Sequence, residues 1–571
     1  MNHLKSFSLA IVAVASLIGC AAPTGGPSST EGSAAAPEAS RTLVVAVRAE
    51  PPSLARRGLR SLGLTADLSP RMFNADLTIR NDQGIPVPYL AEAVPQLNTQ
   101  TWKVNSNGTM ETTFRLKPDI TWHDGTPITA EDWVFAYQVY STPDFGLANA
   151  LPFSAMMSVT APDPRTVVIH WRTTYPDADG GGQANILNPL PRHILKSDLE
   201  SQDPEAFIAN QFWTQKYVGA GPYKLDRWDP GAFLEGVAFD NHVLGRPRIT
   251  RIREIFISDP NTVLANILAG EAQLTAGDSI RFTDGETLRA QWGDKGAVLN
   301  FPNLYRIVQF QLKPDYASTQ AFTDLRVRQA LASGWDFQAV NETVQGGRTH
   351  QALGPIPPTA AYFSQLEKVV PKHVYDPRKS QQLMQDAGFT KGSDSVWVHP
   401  NLRFGRMSFE ANVLANPDSE NEMHIMADSW RKLGFDVKEV VWAASIGRDA
   451  ETRSTFPGLS TTSTGLGQTH FGAYHSGRIP NEARRWQGSN RGAWMAPSEF
   501  DRFVKVFETS LKRDERVEAI IGMNKIYAED LPVIPLYFKL NAVAAVNGLT
   551  GPRLVDPNAS DDWNLHEWEL K

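Results

Sequence analysis

The chain has 571 residues, of which 42% are hydrophobic, 10% aromatic and 20% charged, with a formal net charge of −7 and a single cysteine. The acidic balance argues against nucleic acid or an anionic bilayer as the main partner. One cysteine excludes an intramolecular disulfide, a four-cysteine zinc site and a Cys-x-x-Cys redox pair, and the length predicts two or three subdomains rather than one core.

Lys5 followed by the uncharged run "SLAIVAVASLIG" (Ser8–Gly19) predicts a secretory signal peptide over residues 1–19. The run is short of the roughly 20 apolar residues that span a bilayer. Leu17-Ile18-Gly19-Cys20 resembles the bacterial lipobox, in which cleavage before the cysteine leaves Cys20 to carry lipid. The alternative is an ordinary secreted chain with an incidental cysteine. After Cys20, residues 21–40 contain only Ala, Pro, Thr, Gly, Ser and Glu, so 20–40 reads as a lipidated cysteine on a flexible tether.

From Arg41 the pattern becomes globular. "TLVVAVRAE" (Thr42–Glu50) and "METTFRL" (Met110–Leu116) predict strands. "TAEDWVFAYQVY" predicts a helix opened by a Thr129/Asp132 pair, with Trp133, Ala136, Tyr137 and Tyr140 on one face. A strand at Arg165–Trp171 follows. A helix then starts at Asp259 as N-cap and Pro260 as first residue, and stops at Gly270. Beyond the strand "YRIVQFQL" (Tyr305–Leu312), "TDLRVRQALASG" predicts a helix burying Val327, Ala330 and Leu331 while Arg326 and Arg328 stay outside. Asp376, Pro377 and Gly388 repeat the capped design. Met423, Met426, Trp430 and Leu433 stripe the next helix to Gly434, ahead of the strand Phe435–Trp442. Phe500, Phe503, Val504 and Phe507, then Val517, Ile520, Ile521 and Asn524, mark two more helices before a strand from Val533. The class is α/β with mixed sheets.

Catalytic motifs are missing. The sequence contains no H-E-x-x-H, no G-x-S-x-G, no S-x-x-K with a later K-T-G, no P-loop and no dinucleotide fingerprint. His470 and His475 lie five apart, which suits neither a helix face nor a strand face for metal ligation. No enzyme activity, cofactor or metal is expected.

The segment "LKPDITWHDGTPITAEDWVFAYQVY" (Leu116–Tyr140) resembles the family 5 extracellular solute-binding proteins of bacterial ABC importers, the oligopeptide- and dipeptide-binding group. "YLAEAVPQLN", "GAGPYKLDRWDPG", "FISDPNTVLANILAGE", "FTDLRVRQALASGWD", "YDPRKSQQLMQDAGF" and "EDLPVIPLYFKLNAVA" continue the likeness in family order to the C-terminus. The resemblance implies a bilobed periplasmic-binding-protein-like fold, in its large type II form of three subdomains, with mixed sheets and a two-strand hinge. The hinge strands would lie at Asn303–Phe310 and Asp530–Tyr537. Lobe I would combine 41–75, an inserted subdomain at 76–212, then 213–302 and the return 530–571; lobe II would be 303–529. The implied function is capture of oligopeptides or peptide-like solutes by hinge closure, and delivery to permease subunits. The protein would be a monomer in the extracytoplasmic bacterial envelope, held to the membrane through Cys20, without nucleic acid. Alternatives are an oligosaccharide or modified metabolite as solute, a signalling lipoprotein without transport, and a secreted hydrolase.

The same resemblance places the ligand site. Gly125, Pro127, Gly221 and Pro222 read as turn scaffold. The loop after the first strand supplies Glu50, and aligned positions add Phe73, Asn74 and Trp442. The family's amine-binding acid aligns within "TFPGLSTTSTGLGQTHF" (Thr455–Phe471), which holds no acid; Thr461, Thr462 and Ser463 stand there instead. A buried amine without a carboxylate is costly, so Glu50 substitutes or the ligand lacks a free amine. Arg485, Trp486 and Asn490, with Arg491 and Trp494 beside them, offer forked donors and flat surfaces. The alternative for the tryptophans is lobe packing.

Overall fold

A computed structural model describes residues 42–59, 68–180, 187–201, 203–552 and 562–571. The signal segment, Cys20 and the tether lie outside the described residues. Among those described, no helix is long and apolar enough to cross a membrane.

The organising element is a ten-stranded mixed sheet. In chain order its strands are β1 (Thr42–Val47), β2 (Tyr223–Asp229), β3 (Phe233–Ala238), β4 (Arg251–Phe256), β5 (Leu274–Thr275), β6 (Gly296–Phe310), β7 (Ser408–Leu414), β8 (Asp436–Trp442), β9 (Leu459–Gly465) and β10 (Val533–Val546). Across the sheet they run β8-β7-β9-β6-β10-β5-β1-β4-β3-β2. A separate antiparallel sheet orders Trp102–Val104, Met110–Arg115, Thr166–Trp171 and Met156–Asp163. The helices that matter for the site are α1 (Phe282–Trp292), α2 (Leu325–Ser333), α3 (Pro417–Lys432), α4 (Ser498–Thr509) and α5 (Arg513–Asp530).

Among the described strands of this sheet, β6 and β10 form the pair that serves both lobes, and alternation explains how. Towards their common outer end, Val298, Ala542 and Ala544 pack in a cluster with Val263, Ile267 and Trp292. At the other end, Val308, Phe310, Ile534 and Leu536 face a cluster containing Met423, Met426 and Trp430. Tyr305, Ile307, Val533 and Phe538 belong to the cluster on the opposite face, with Phe500, Val504 and Tyr527. A register shift between Tyr305 and Ile307 interrupts the alternation, so that Leu536 and Phe538 fall in different clusters. Between the two ends the pair carries Asn300, Pro302, Lys539 and Asn541, and its register shifts between Pro302 and Leu304. Polar residues and a bulge therefore occupy the stretch where the strands leave one core for the next. This is the two-strand hinge of a bilobed fold. Its strands extend well past the predicted Asn303–Phe310 and Asp530–Tyr537, because pairing continues from Gly296↔Val546 to Gln309↔Val533.

Local signals behave as the sequence dictates. Asp259 accepts the N–H groups of Asn261 and Thr262, Pro260 opens the helix, and Gly270 closes it at φ 80°; a cap of this kind is worth about 1 kcal/mol. At 129–132 only half of the predicted box forms. The Asp132 carboxylate accepts the Thr129 N–H at 2.8 Å, while the Thr129 side chain caps nothing.

Arg328 corrects the expectation of an outside position. Its side chain is buried, donating to the carbonyls of Phe322, Asp530 and Leu531. Those last two end α5, where unpaired carbonyls attract a cation. Arg326 does stay outside, paired with Asp324 at 2.6 Å.

Candidate functional site

The motif-bearing turns of the first lobe lock onto one another. His123 accepts the Gly219 N–H on Nδ1 and, through Nε2, meets the Gly221 carbonyl at 3.0 Å. Burial pushes this imidazole down to about 4, so it is neutral. The N–H groups of Ala220 and Gly221 both reach the Phe73 carbonyl at 3.1 Å. A Cβ on Gly219 would lie 1.9 Å from that oxygen, which is why glycine stands there.

Phe73 and Asn74 belong to the same knot. The Phe73 ring is fully buried in the first-lobe core. The Asn74 amide donates to Leu54 at 2.8 Å and Pro70 at 3.0 Å, and its oxygen accepts from Arg56 N–H and the Tyr217 hydroxyl. Its side chain is spent on holding the loop after β1. Glu50 is engaged as well: Trp228 Nε1 donates to it at 2.6 Å and Gly231 N–H at 3.1 Å. Each of its two carboxylate oxygens thus already accepts one internal donor.

On β9 the three hydroxyl residues split between faces. Thr461 pairs with Val308 and Ser463 with Arg306, while Thr462 pairs with Ile307 and points the other way. Ser463 accepts from Arg306 at 2.9 Å. Arg306 in turn grips Glu422 of α3 through two nitrogens, and Tyr537 of β10 donates its hydroxyl to the same carboxylate. Burial opposes the Arg306 charge, but Glu422 outweighs it and raises the guanidinium pKa. The network ties both hinge strands to α3. Thr461 Oγ1 is buried with no partner among the described residues. Trp442 closes β8, and its carbonyl accepts the Ala415 N–H at 2.8 Å.

The 481–494 turn is a third, separate place. Arg485 is exposed; Trp486 is half-buried, with its ring 6.1 Å from that of Tyr316. Both have positive φ, 50° and 57°. Asn490 is 1% exposed, donates to Tyr474 and Trp494 carbonyls and accepts the Trp494 N–H. Trp494 is buried against Phe500 and Tyr527, with its Nε1 on Asp530, so it packs the lobe. Arg491 lies near Arg453; burial first, and that neighbouring cation second, bring it down to about 10.

A cavity of about 420 Å³ opens elsewhere, where the strands around the small sheet meet α4 and α5. One wall comes from Arg80, Leu97, Trp102, Pro176 and Asp177. The other comes from Tyr362, Gln468, Phe507, Arg513, Arg516 and Ile520. The Thr174 hydroxyl donates to the Thr509 carbonyl at 2.6 Å, and Arg516 sits 3.6 Å from Asp177, so the walls also touch directly. None of the residues predicted from sequence lines this space. One signal could have found it: Arg513 and Arg516 place two cations at the start of a helix, where the dipole disfavours them.

No group of three or more His, Cys, Asp or Glu among the described residues is arranged to hold a metal ion. His470 is instead buried, bonded to the Thr464 hydroxyl at 2.7 Å and set edge-on to Tyr305 and Tyr474.

Residues 92–465 match the family model described as bacterial extracellular solute-binding proteins, family 5, middle. The oligopeptide-binding protein AppA of Bacillus subtilis is 25% identical over 99% of this chain and 98% of its own. The oligopeptide-binding protein of Thermus thermophilus, solved with a pentapeptide, superposes with a TM-score of 0.79 at 22% identity, covering 93% of this chain and 96% of that one. NikZ of Campylobacter jejuni, solved with Ni(L-His), gives a TM-score of 0.75 at 21% identity, covering 93% of this chain and all of its own.

Proposed function

Since the chain belongs to family 5 of the bacterial extracellular solute-binding proteins, whose members bind solutes rather than transform them, we propose that it is the solute receptor of an ABC importer. In this reading it captures oligopeptides or peptide-like solutes by hinge closure and hands them to permease subunits. The observation that carries it is the 420 Å³ cavity with walls from two separately packed parts of the chain. A solute touching both walls stabilises their approach, and closure then follows from differential binding. Shifting a lobe equilibrium from 1:99 to 99:1 takes about 5.5 kcal/mol of such preference.

The name of the full-length Bacillus relative and the pentapeptide in the Thermus structure support peptides. The acid-free strand Leu459–Gly465 supports solutes without a free amine, and the metal–histidine complex of the Campylobacter neighbour supports a small non-peptide solute as the second reading. Cys20 as lipid anchor, the tether over 20–40, the monomeric state and the lobe limits complete the proposal.

The test is native mass spectrometry of the purified protein, followed by denaturation and identification of what is released. Small-angle scattering before and after adding a pool of tri- to octapeptides accompanies it. A released peptide and a contracted particle are expected. Steady conversion of the added peptides into products would refute the receptor reading, and an unchanged particle with a non-peptide released would select the second.

A further inference from the structure

The cavity's wall chemistry goes further than the receptor reading on which it rests. Three guanidinium groups, Arg80, Arg513 and Arg516, line it against one carboxylate, Asp177. That carboxylate stands 3.6 Å from Arg516, and Arg516 Nε is buried without a hydrogen-bond partner among the described residues. Arg513 and Arg516 occupy the first turn of α5, and no side chain caps that helix start. Two cations there, on top of the positive end of the helix dipole, repel one another and repel any ammonium group. The acids of the same turn do not relieve this. Glu515 is taken by Ser510 and Lys512, and Asp514 is absent from the cavity lining. Beside the arginines stand the apolar Trp102, Phe507, Leu511, Val517 and Ile520, with Arg516 stacked 4.7 Å from the Phe507 ring, while Tyr362 and Gln468 bond to each other on the same lining.

We infer that this cavity takes a carboxylate carried on an apolar body, such as the free C-terminal end of a hydrophobic peptide. The carboxylate lies among Arg513, Arg516 and Arg80, where forked N–H donors match its two oxygens. The apolar body lies against Trp102, Phe507 and Val517. At about 420 Å³ the space is at the small end of the roughly 300–1,000 Å³ usual for ligand pockets, so it houses one end of a peptide rather than its whole length. The absence of an acid at β9 fits the same polarity: this receptor holds its solute by the acidic end rather than by the amine.

The experiment uses the purified full-length chain, with 4-phenylbutyrate and 4-phenylbutyramide as matched probes at low ionic strength. Binding is followed by titration calorimetry and by tryptophan emission, since Trp102 lines the cavity. The acid is expected to bind at least tenfold more tightly than the amide. Arg513→Gln is expected to weaken the acid at least fivefold without changing the amide, and Arg513→Lys to restore part of the loss. Arg513 is exposed at a helix start, so its replacement leaves the fold intact; thermal melts of the ligand-free variants check this. Equal affinity of acid and amide, binding of neither at millimolar concentration, or an indifferent Arg513→Gln overturns the inference. An apolar octapeptide, titrated in parallel, separates the two levels. Acid selectivity without peptide binding removes the peptide reading alone; peptide binding without acid selectivity removes this inference alone.

Discussion

His470, whose spacing from His475 argues against metal ligation, has a structural place in the fold. Enclosed by Tyr305, Tyr474 and Thr464, its imidazole is pushed by burial down to about 3. In the unfolded chain it titrates near 6.5. Between those values the unfolded state holds a proton that the folded state refuses, so stability present above pH 6.5 is lost as the pH falls. At pH 5 this single group costs about 2 kcal/mol. His123, His242 and His566 act in the same sense, whereas the raised carboxyls of Asp76, Asp132 and Asp418 oppose them. The difference between proteins isolates His470. Urea unfolding at pH 7 and pH 5 is expected to show His470→Gln losing about 2 kcal/mol less than wild type on acidification. Equal losses would mean that the imidazole is protonated in the fold.

The two arginines of α2 make the corresponding point for an element. Arg328 satisfies three carbonyls, two of them at the end of α5, whereas Arg326 lies in solvent with Asp324. Arg328→Ala is expected to cost about 3 kcal/mol by leaving those groups unpaired. Arg326→Ala is expected to cost under about 1 kcal/mol. Thermal or urea denaturation of both variants checks the ranking, and the reverse order would place the Arg328 side chain outside. Helical periodicity could not tell the two apart, because it identifies the apolar stripe of one helix and says nothing of what another helix ends against. Signals complete within one stretch were readable: the Asp259-Pro260 start, the Gly270 stop, the stripe Met423–Trp430, and the ordered family motifs that fix the bilobed class. Phe73, Asn74 and Asn490 were candidates by aligned position, yet their side chains are consumed by packing and internal bonds. The cavity stayed hidden because residues near 80, 102, 177, 362, 468 and 513 assemble it, and their proximity in space cannot be read from any one stretch.

For the molecule as a whole, two antiparallel strands form the mechanical link between cores, and the Thr174–Thr509 and Asp177–Arg516 contacts form a second link at the cavity. The polar part of the second link is weak: one hydrogen bond and one partly exposed ion pair contribute on the order of 1 kcal/mol each, beside the packing of Leu511 on the first core. Contacts of that size can be made and broken at little cost, as the proposed receptor role requires. Replacing Thr174 and Asp177 together by alanine is expected to enlarge the ligand-free particle in small-angle scattering, with the melting temperature little changed. No change in particle size would assign these contacts to static packing.

The place of β10 in the sheet has a consequence for biogenesis. This strand comes from the C-terminal end of the chain, yet it lies between β6 and β5, which do not pair with each other. Everything from β5 to β2 is therefore separated from the β6–β8 side until nearly the whole chain has been synthesised. A nascent chain lacking its seam cannot complete its central sheet. Joining of the two halves of the sheet therefore waits for the last strand to arrive.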